Sequence, residues 1–251
     1  MSDMRLSHCT NPNGSLRNLE SCNQFKSLAL RLAQILAEEG VVVEPFRDHT
    51  LPYFNSLDIG GQAAACQSLN KYVSICESVL AEGQRLASSQ TFTWRAMREL
   101  GYVPSYDLFS IIDDQDIVEF YDLKNIQVFR NLNFFRVCSY SLEDLYARPW
   151  HELFVREEQQ VTNSIFEVVA ELVAGKRPAV VNTKIGTQII RETQSVRKYS
   201  LRADVHHLGL LVDRFDNPAG IAAVERAEVL RTHAARRESA ALKTHPSSID
   251  L

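Results

Sequence analysis

The chain has 251 residues, 45% apolar and 23% charged, with a formal net charge of −4. That length accommodates one compact domain with extensions or two small domains, and the composition is that of an ordinary globular protein. The slightly acidic balance argues against direct nucleic-acid binding and against an anionic membrane surface as partner. The five cysteines, Cys9, Cys22, Cys66, Cys76 and Cys138, form no C-x-x-C pair, which fits thiols kept in a reducing compartment. No apolar run reaches the length of a membrane span, and the polar start MSDMRLSHCTNPNGS lacks a signal-peptide core. A cytoplasmic protein is expected, with the nucleus left open.

Residues 1–21 are polar and aperiodic, so they read as a disordered tail. Residues 22–104 read as a helical N-terminal region. Its first helix runs from a cap at Asn23 to Glu39, with Phe25, Leu28, Leu32, Ile35 and Leu36 on one face. A loop over 40–61 follows, then a helix from Gln62 to Gly83 with Ala65, Leu69, Tyr72, Cys76, Val79 and Leu80 in register. A shorter helix carries Trp94, Met97 and Leu100 and stops at Gly101.

From Asp116 the pattern changes to sheet. Residues 116–121 and 125–130 read as a hairpin, rich in β-branched and aromatic side chains. One-turn helices follow, the second opened by a capping-box pattern in which Ser141 answers Asp144. Helices this short must pack on something larger, which places them over the sheet with a pocket between. Gln159 to Ala174 reads as a long helix ended by Gly175. Strands are expected over 179–190, 196–205 and 208–213; in the middle one Tyr199, Leu201, Ala203 and Val205 alternate with polar residues. After the turn at Asp216 to Gly220, the Ala-rich run over 227–242 favours a helix, the segment 221–226 being open between strand and helix. The expected units are thus 1–21, 22–104, 105–226 and 227–251, with residues 116–213 expected to fold as a unit and a chain starting near Pro104 to stay soluble and cooperative.

Asn131, Phe134, Tyr140, Ser141, Glu143 and Leu145 fall, without a gap, on the asparagine, aromatic and "GYS-x-E-E-L" pattern of PAS domains. Arg148, Pro149, Trp150, Leu153 and Phe154 resemble the "G-x-P-W-x-x-L-F" segment that follows it. The middle third of the chain therefore resembles a PAS domain. The resemblance implies an α+β fold: a PAS-like antiparallel sheet covered by short helices and one long helix, here preceded by a helical region. The order strand, strand, short helices, long helix, three strands is the PAS order and also emerges from periodicity alone.

Signatures of catalysis such as G-x-S-x-G, H-E-x-x-H, a P-loop or G-x-G-x-x-G are absent. A scattered nucleophile pair of Cys138 and His151 is the remaining enzymatic option, weighed against an inert thiol among Phe135, Val137 and Tyr140. Asp113, Asp114 and Asp116 read as a solvated turn rather than a cation loop. Adjacent His206 and His207 point to opposite faces of a strand and read as surface histidines. Arg226, Arg231, Arg236 and Arg237, interleaved with Glu225, Glu228 and Glu238, read as a solvated helix face.

The resemblance allows cofactors to be weighed. The long helix has no histidine to ligate haem, and residues 147–152 lack the cysteine of light-sensing flavin domains. The cofactor stays unknown, and a small apolar ligand facing Phe129, Phe134, Tyr140, Trp150, Phe154 and Phe166 is the expected occupant; the same rings would also fill a closed core. The expected function is a non-enzymatic sensory or protein-interaction module of signal transduction or transcription regulation. The alternative is a small α+β enzyme or ligand carrier with a cone-like cavity. A homodimer through the apolar stripe of the first helix and a separate protein partner are the expected associations.

Overall fold

The computed structural model describes residues 19–230, apart from 125, 157–158, 182–186 and 193–199. The tail expected before Leu19 and the helix expected beyond Leu230 fall mostly outside the described residues.

Four helices lead the chain: α1 (Leu19–Glu38), α2 (Pro52–Ser56), α3 (Ile59–Ala81) and α4 (Ser89–Leu100). Phe25, Leu32, Ile35 and Leu36 of α1 are buried, and α1 packs on α3, whose own buried row runs through Ala65, Leu69, Tyr72, Cys76 and Val79. Each buried Val, Leu, Ile or Phe among them contributes about 1.5–3 kcal/mol by leaving water. This closes the α1 stripe inside the chain and corrects the expectation that it is free to meet a second copy. Asp58 caps α3 by accepting from the Gly61 N–H at 2.6 Å. The segment expected to be loop contains α2. Its N-terminus is capped across the chain by Glu143, whose Oε1 accepts from the N–H groups of Tyr53 and Phe54 at 2.9 and 3.1 Å.

The strands are β1 (Val103–Pro104), β2 (Ile117–Asp122), β3 (Gln127–Arg130), β4 (Phe154–Arg156), β5 (Ala179–Val181), β6 (Thr187–Glu192), β7 (Ser200–Val212) and β8 (Pro218–Leu230). They pair antiparallel in the order β3–β2–β8–β7–β6–β4. β1 and β5 also join β7, so one edge of β7 is met in turn by β6, β5 and β1. Between β3 and β4 stand α5 (Leu132–Val137), α6 (Leu142–Ala147) and α7 (Trp150–Leu153); α8 (Gln159–Val173) follows β4. The fold is α+β, with two strands, short helices, a long helix and then strands as expected of a PAS-like domain; β4 stands before the long helix, and the strand expected over 179–190 is two, β5 and β6, so that four strands follow α8.

Two expectations change. Residues 196–205 and 208–213 are not separate strands, because β7 runs unbroken from Ser200 to Val212 with a bulge between Val205 and His207. Ala227 to Leu230, expected to open a helix, extend β8. β8 pairs with β2 on one side and β7 on the other. Over 220–225 both sides are paired, and Ala227 to Leu230 continue the ladder with β7 alone, which outweighs an alanine preference for helix of tenths of a kcal/mol per residue.

The sheet is covered on both faces. Val118 and Phe120 of β2, Phe129 of β3, and Ala222 and Val224 of β8 join the core of the N-terminal helices. Val205, Leu208, Ile221 and Ala223 meet Ile165, Val168 and Leu172 of α8 on the other side. This is period-2 alternation with both sets apolar. The helical region is therefore a layer on the sheet, and the boundary expected near Pro104 cuts through a shared core. On the same β7, Gly209 is required: a Cβ there would lie 1.9 Å from the Tyr106 ring.

Candidate functional site

α8 and the short helices arch over one sheet face and leave a cavity of about 80 Å³. Its helical wall includes Phe134, Val137, Trp150, Ile165 and Phe166, and its sheet wall includes Ile117, Glu119, Tyr121, Ala223 and Glu225. The local chemistry explains the arch. Asn131 ends β3 and caps α5, and its amide nitrogen donates to the Asp116 carbonyl at 2.8 Å and to Ser89 Oγ at 3.0 Å. The capping box at Ser141 and Asp144 is formed and sets α6. Gly175, at φ 69°, stops α8 and turns the chain back toward the sheet.

Of the six aromatic residues expected to face a pocket, the structure brings Phe134, Trp150 and Phe166 together on the cavity wall. The Trp150 and Phe166 rings are 5.5 Å apart. Phe129 lies on the opposite sheet face, 6.0 Å from the Tyr72 ring and 5.0 Å from that of Phe92. Its register against Phe120 fixes that side, because Glu119 and Tyr121 point the other way. Tyr140 is buried in the helical core and donates its hydroxyl to the Leu153 carbonyl, which takes it out of the wall. The side chain of Phe154, at the start of β4, lies outside the described residues. Trp150 is partly buried and packs at the edge of the α8 core.

One part of the wall is polar, and the sequence reading did not find it. Glu119 is 4% exposed; it accepts from the Tyr121 hydroxyl at 3.1 Å and from the Gln127 amide. Glu225, two positions along β8 from the Ala223 that pairs with Glu119, lines the same wall. Arg156 of β4 completes this patch, its guanidinium carbon 4.8 Å from the Trp150 ring centre. Burial, and then the charge of Glu225, push the Glu119 carboxyl well above the usual range. Burial also raises Glu225, while the Arg156 cation opposes that rise. Behind them Arg130 is fully buried, its guanidinium 4.8 Å from the Tyr146 ring and 5.4 Å from Phe134. A signal was available: the run I-V-E-F-Y places a glutamate in a strand otherwise apolar on both faces.

The other residues singled out in the sequence fall elsewhere. Cys138 is partly buried and lines the cavity, whereas His151 is exposed on α7 and does not. Asp116 is not a solvated turn residue. It is buried, and its Oδ1 accepts from Arg226 Nη2 at 2.7 Å while its Oδ2 accepts from the Asp113 N–H at 2.9 Å. Arg226 therefore stands on a strand beside an acidic turn rather than on a helix face. His207, expected at the surface, is 4% exposed with its ring 4.6 Å from that of Tyr106 and no hydrogen-bond partner on either ring nitrogen among the described residues. Among the described residues no group of three or more His, Cys, Asp or Glu is placed to hold a metal ion. No helix among them is long and apolar enough to cross a membrane.

No family model and no curated protein matches the chain. Among solved structures it is similar to PAS domains. One, from a Colwellia psychrerythraea protein, has 13% identity and a TM-score of 0.32, covering 46% of this chain and 88% of that one. Another, from a Desulfitobacterium hafniense protein, has 14% identity and a TM-score of 0.29, covering 50% of this chain and 100% of that one.

Proposed function

We propose that the chain is a non-enzymatic sensory or protein-interaction module, acting in signal transduction or transcription regulation, whose cavity takes a small, mostly apolar ligand. The observation that carries the reading is the cavity itself. Its walls come from the sheet on one side and from α5, α7 and α8 on the other. An occupant would touch both and bias how they pack, which is the requirement for a ligand to shift a conformational equilibrium. Pockets of this kind combine apolar walls with a few placed polar groups, here Glu119, Glu225 and Arg156. A protein partner or a second copy would receive the change.

Native mass spectrometry of freshly purified protein tests this. The expected result is a bound small molecule, lost on denaturation, or uptake of added apolar probes with a rise in Tm. Neither an adduct nor any thermal shift with probes would overturn it. A second reading, an enzyme or carrier, is favoured by the carboxyl pair, since two coupled acids can serve as general acid and base. It predicts turnover of the bound molecule.

A further inference from the structure

We propose that the cavity's ligand is an uncharged molecule, a hydroxyl group on a short apolar body, whose hydroxyl donates to Glu225 and accepts from Arg156. The inference rests on the reading of the cavity as a ligand site and specifies its chemistry. Among the described residues, the polar end of the wall is built from Glu119, Glu225 and Arg156, with the fully buried Arg130 behind it. Glu119 and Arg130 stand directly opposite in the β2–β3 ladder, so their side chains leave the same face of the sheet. Glu119 is also satisfied inside the wall: its Oε1 accepts from the Gln127 amide and its Oε2 from the Tyr121 hydroxyl. Glu225 and Arg156 are therefore the groups that meet an occupant. Arg156 lays its guanidinium over Trp150, and stacking leaves the N–H edge of a guanidinium for hydrogen bonds.

The guanidinium groups of Arg130 and Arg156 against the carboxyls of Glu119 and Glu225 sum to no net charge. An ammonium or a carboxylate brought into the cavity would add a buried charge with no counter-charge left for it. A hydrocarbon fails for the opposite reason. It would strip water from Glu225 and Arg156 and return no hydrogen bond, and a site built for a polar group rejects the analogue lacking it. A hydroxyl both donates and accepts, so one oxygen answers both side chains. The volume of about 80 Å³ is several times the roughly 10–15 Å³ that one water needs, which suits a short alkyl chain or a single ring as the body.

The other titratable groups do not alter the sum. Burial keeps the Tyr121 hydroxyl protonated. His206, the other basic group acting on Glu225, lies 4.0 Å from Asp116 and 3.8 Å from Asp204. The helical wall adds the Cys138 thiol. Burial, and at Glu119 the Glu225 charge, work against ionisation of the carboxyls, while Arg130 opposes this at Glu119 and Arg156 at Glu225. The balance is therefore tested on the alkaline side of neutrality.

Isothermal titration calorimetry on the full chain at about pH 8, where alkyl amines keep their charge, uses two probe series, n-butyl and benzyl. Each ends in a methyl, a hydroxyl, an ammonium or a carboxylate group. The expected result is that the hydroxyl member of each series binds at least about tenfold tighter than its three counterparts. Glu225→Gln leaves the wall with an excess positive charge and should turn the ranking toward the carboxylate. Arg156→Gln leaves an excess negative charge and should turn it toward the ammonium. A merely apolar cavity would rank the methyl member first, and neither substitution would move the ions. Any other member matching the hydroxyl in the parent, or variants that keep the parent's ranking, would overturn the uncharged hydroxyl ligand and leave the ligand cavity standing. If a variant fails to fold, the parent's ranking decides. No binding of any probe would overturn both.

Discussion

Asn131 does three jobs with one amide. It caps α5, reaches Ser89 at the start of α4, and holds the Asp116 carbonyl before β2. Asn131→Ala removes the cap and leaves buried groups short of a partner. The loss should be about 2 kcal/mol in urea denaturation, and Asn131→Asp should recover only the cap. His207 sets an acid limit on stability. Burial lowers its pKa, so the folded state disfavours the imidazolium while the unfolded chain accepts the proton. The unfolded state therefore binds more protons below the ordinary histidine value. Stability present above about pH 6.5 falls as pH drops toward the lowered folded value. His207→Phe, which keeps a ring against Tyr106, should flatten that fall between about pH 7 and pH 5; an unchanged slope in paired denaturation curves would refute the assignment.

Single elements show which signals the sequence carried. α3 and α4 were legible because their apolar residues recur at helical spacing and stop at Gly83 and Gly101, both with positive φ. α6 was legible through Ser141 and Asp144. β8 was not, because Ala, Glu and Arg describe the residues' own preferences and say nothing of strands waiting on both sides. The cavity's aromatics were half legible. Trp150 and Phe166 belong to elements whose covering role the spacing revealed, but which face Phe129 takes depends on its register with Phe120. α2 escaped notice because its cap comes from Glu143, about ninety positions away in the chain. Glu143→Ala should therefore loosen residues 44–57 selectively, at a cost of about 1–2 kcal/mol. Hydrogen exchange should show faster exchange at Tyr53 and Phe54 and little change at β7.

At the scale of the whole molecule, helical layer, sheet and arch share their cores. A chain truncated to begin at Ser105 would expose Val118, Phe120, Phe129 and Val224, all buried beneath the helices. It should aggregate or unfold without a cooperative transition, visible by circular dichroism, instead of behaving as a free-standing domain. The double change Leu32→Glu and Leu36→Glu separates two accounts of α1. A dimer seam there would give a folded monomer. The structure buries both leucines against the chain itself, so the outcome should be loss of the helical signal, at several kcal/mol per buried charge. If a homodimer forms, it uses other surfaces.

β2 is a partition one peptide thick. Glu119 and Tyr121 belong to the room under the arch, and Phe120 between them belongs to the room under the N-terminal helices. Neither room can be refurnished alone. Deleting one residue from the middle of β2 would exchange their contents, putting a carboxyl among Phe92, Phe129 and Tyr72 and a phenyl ring on the wall with Glu225. Drift in this strand is thereby confined to substitutions, and length changes are left to the turns at its ends.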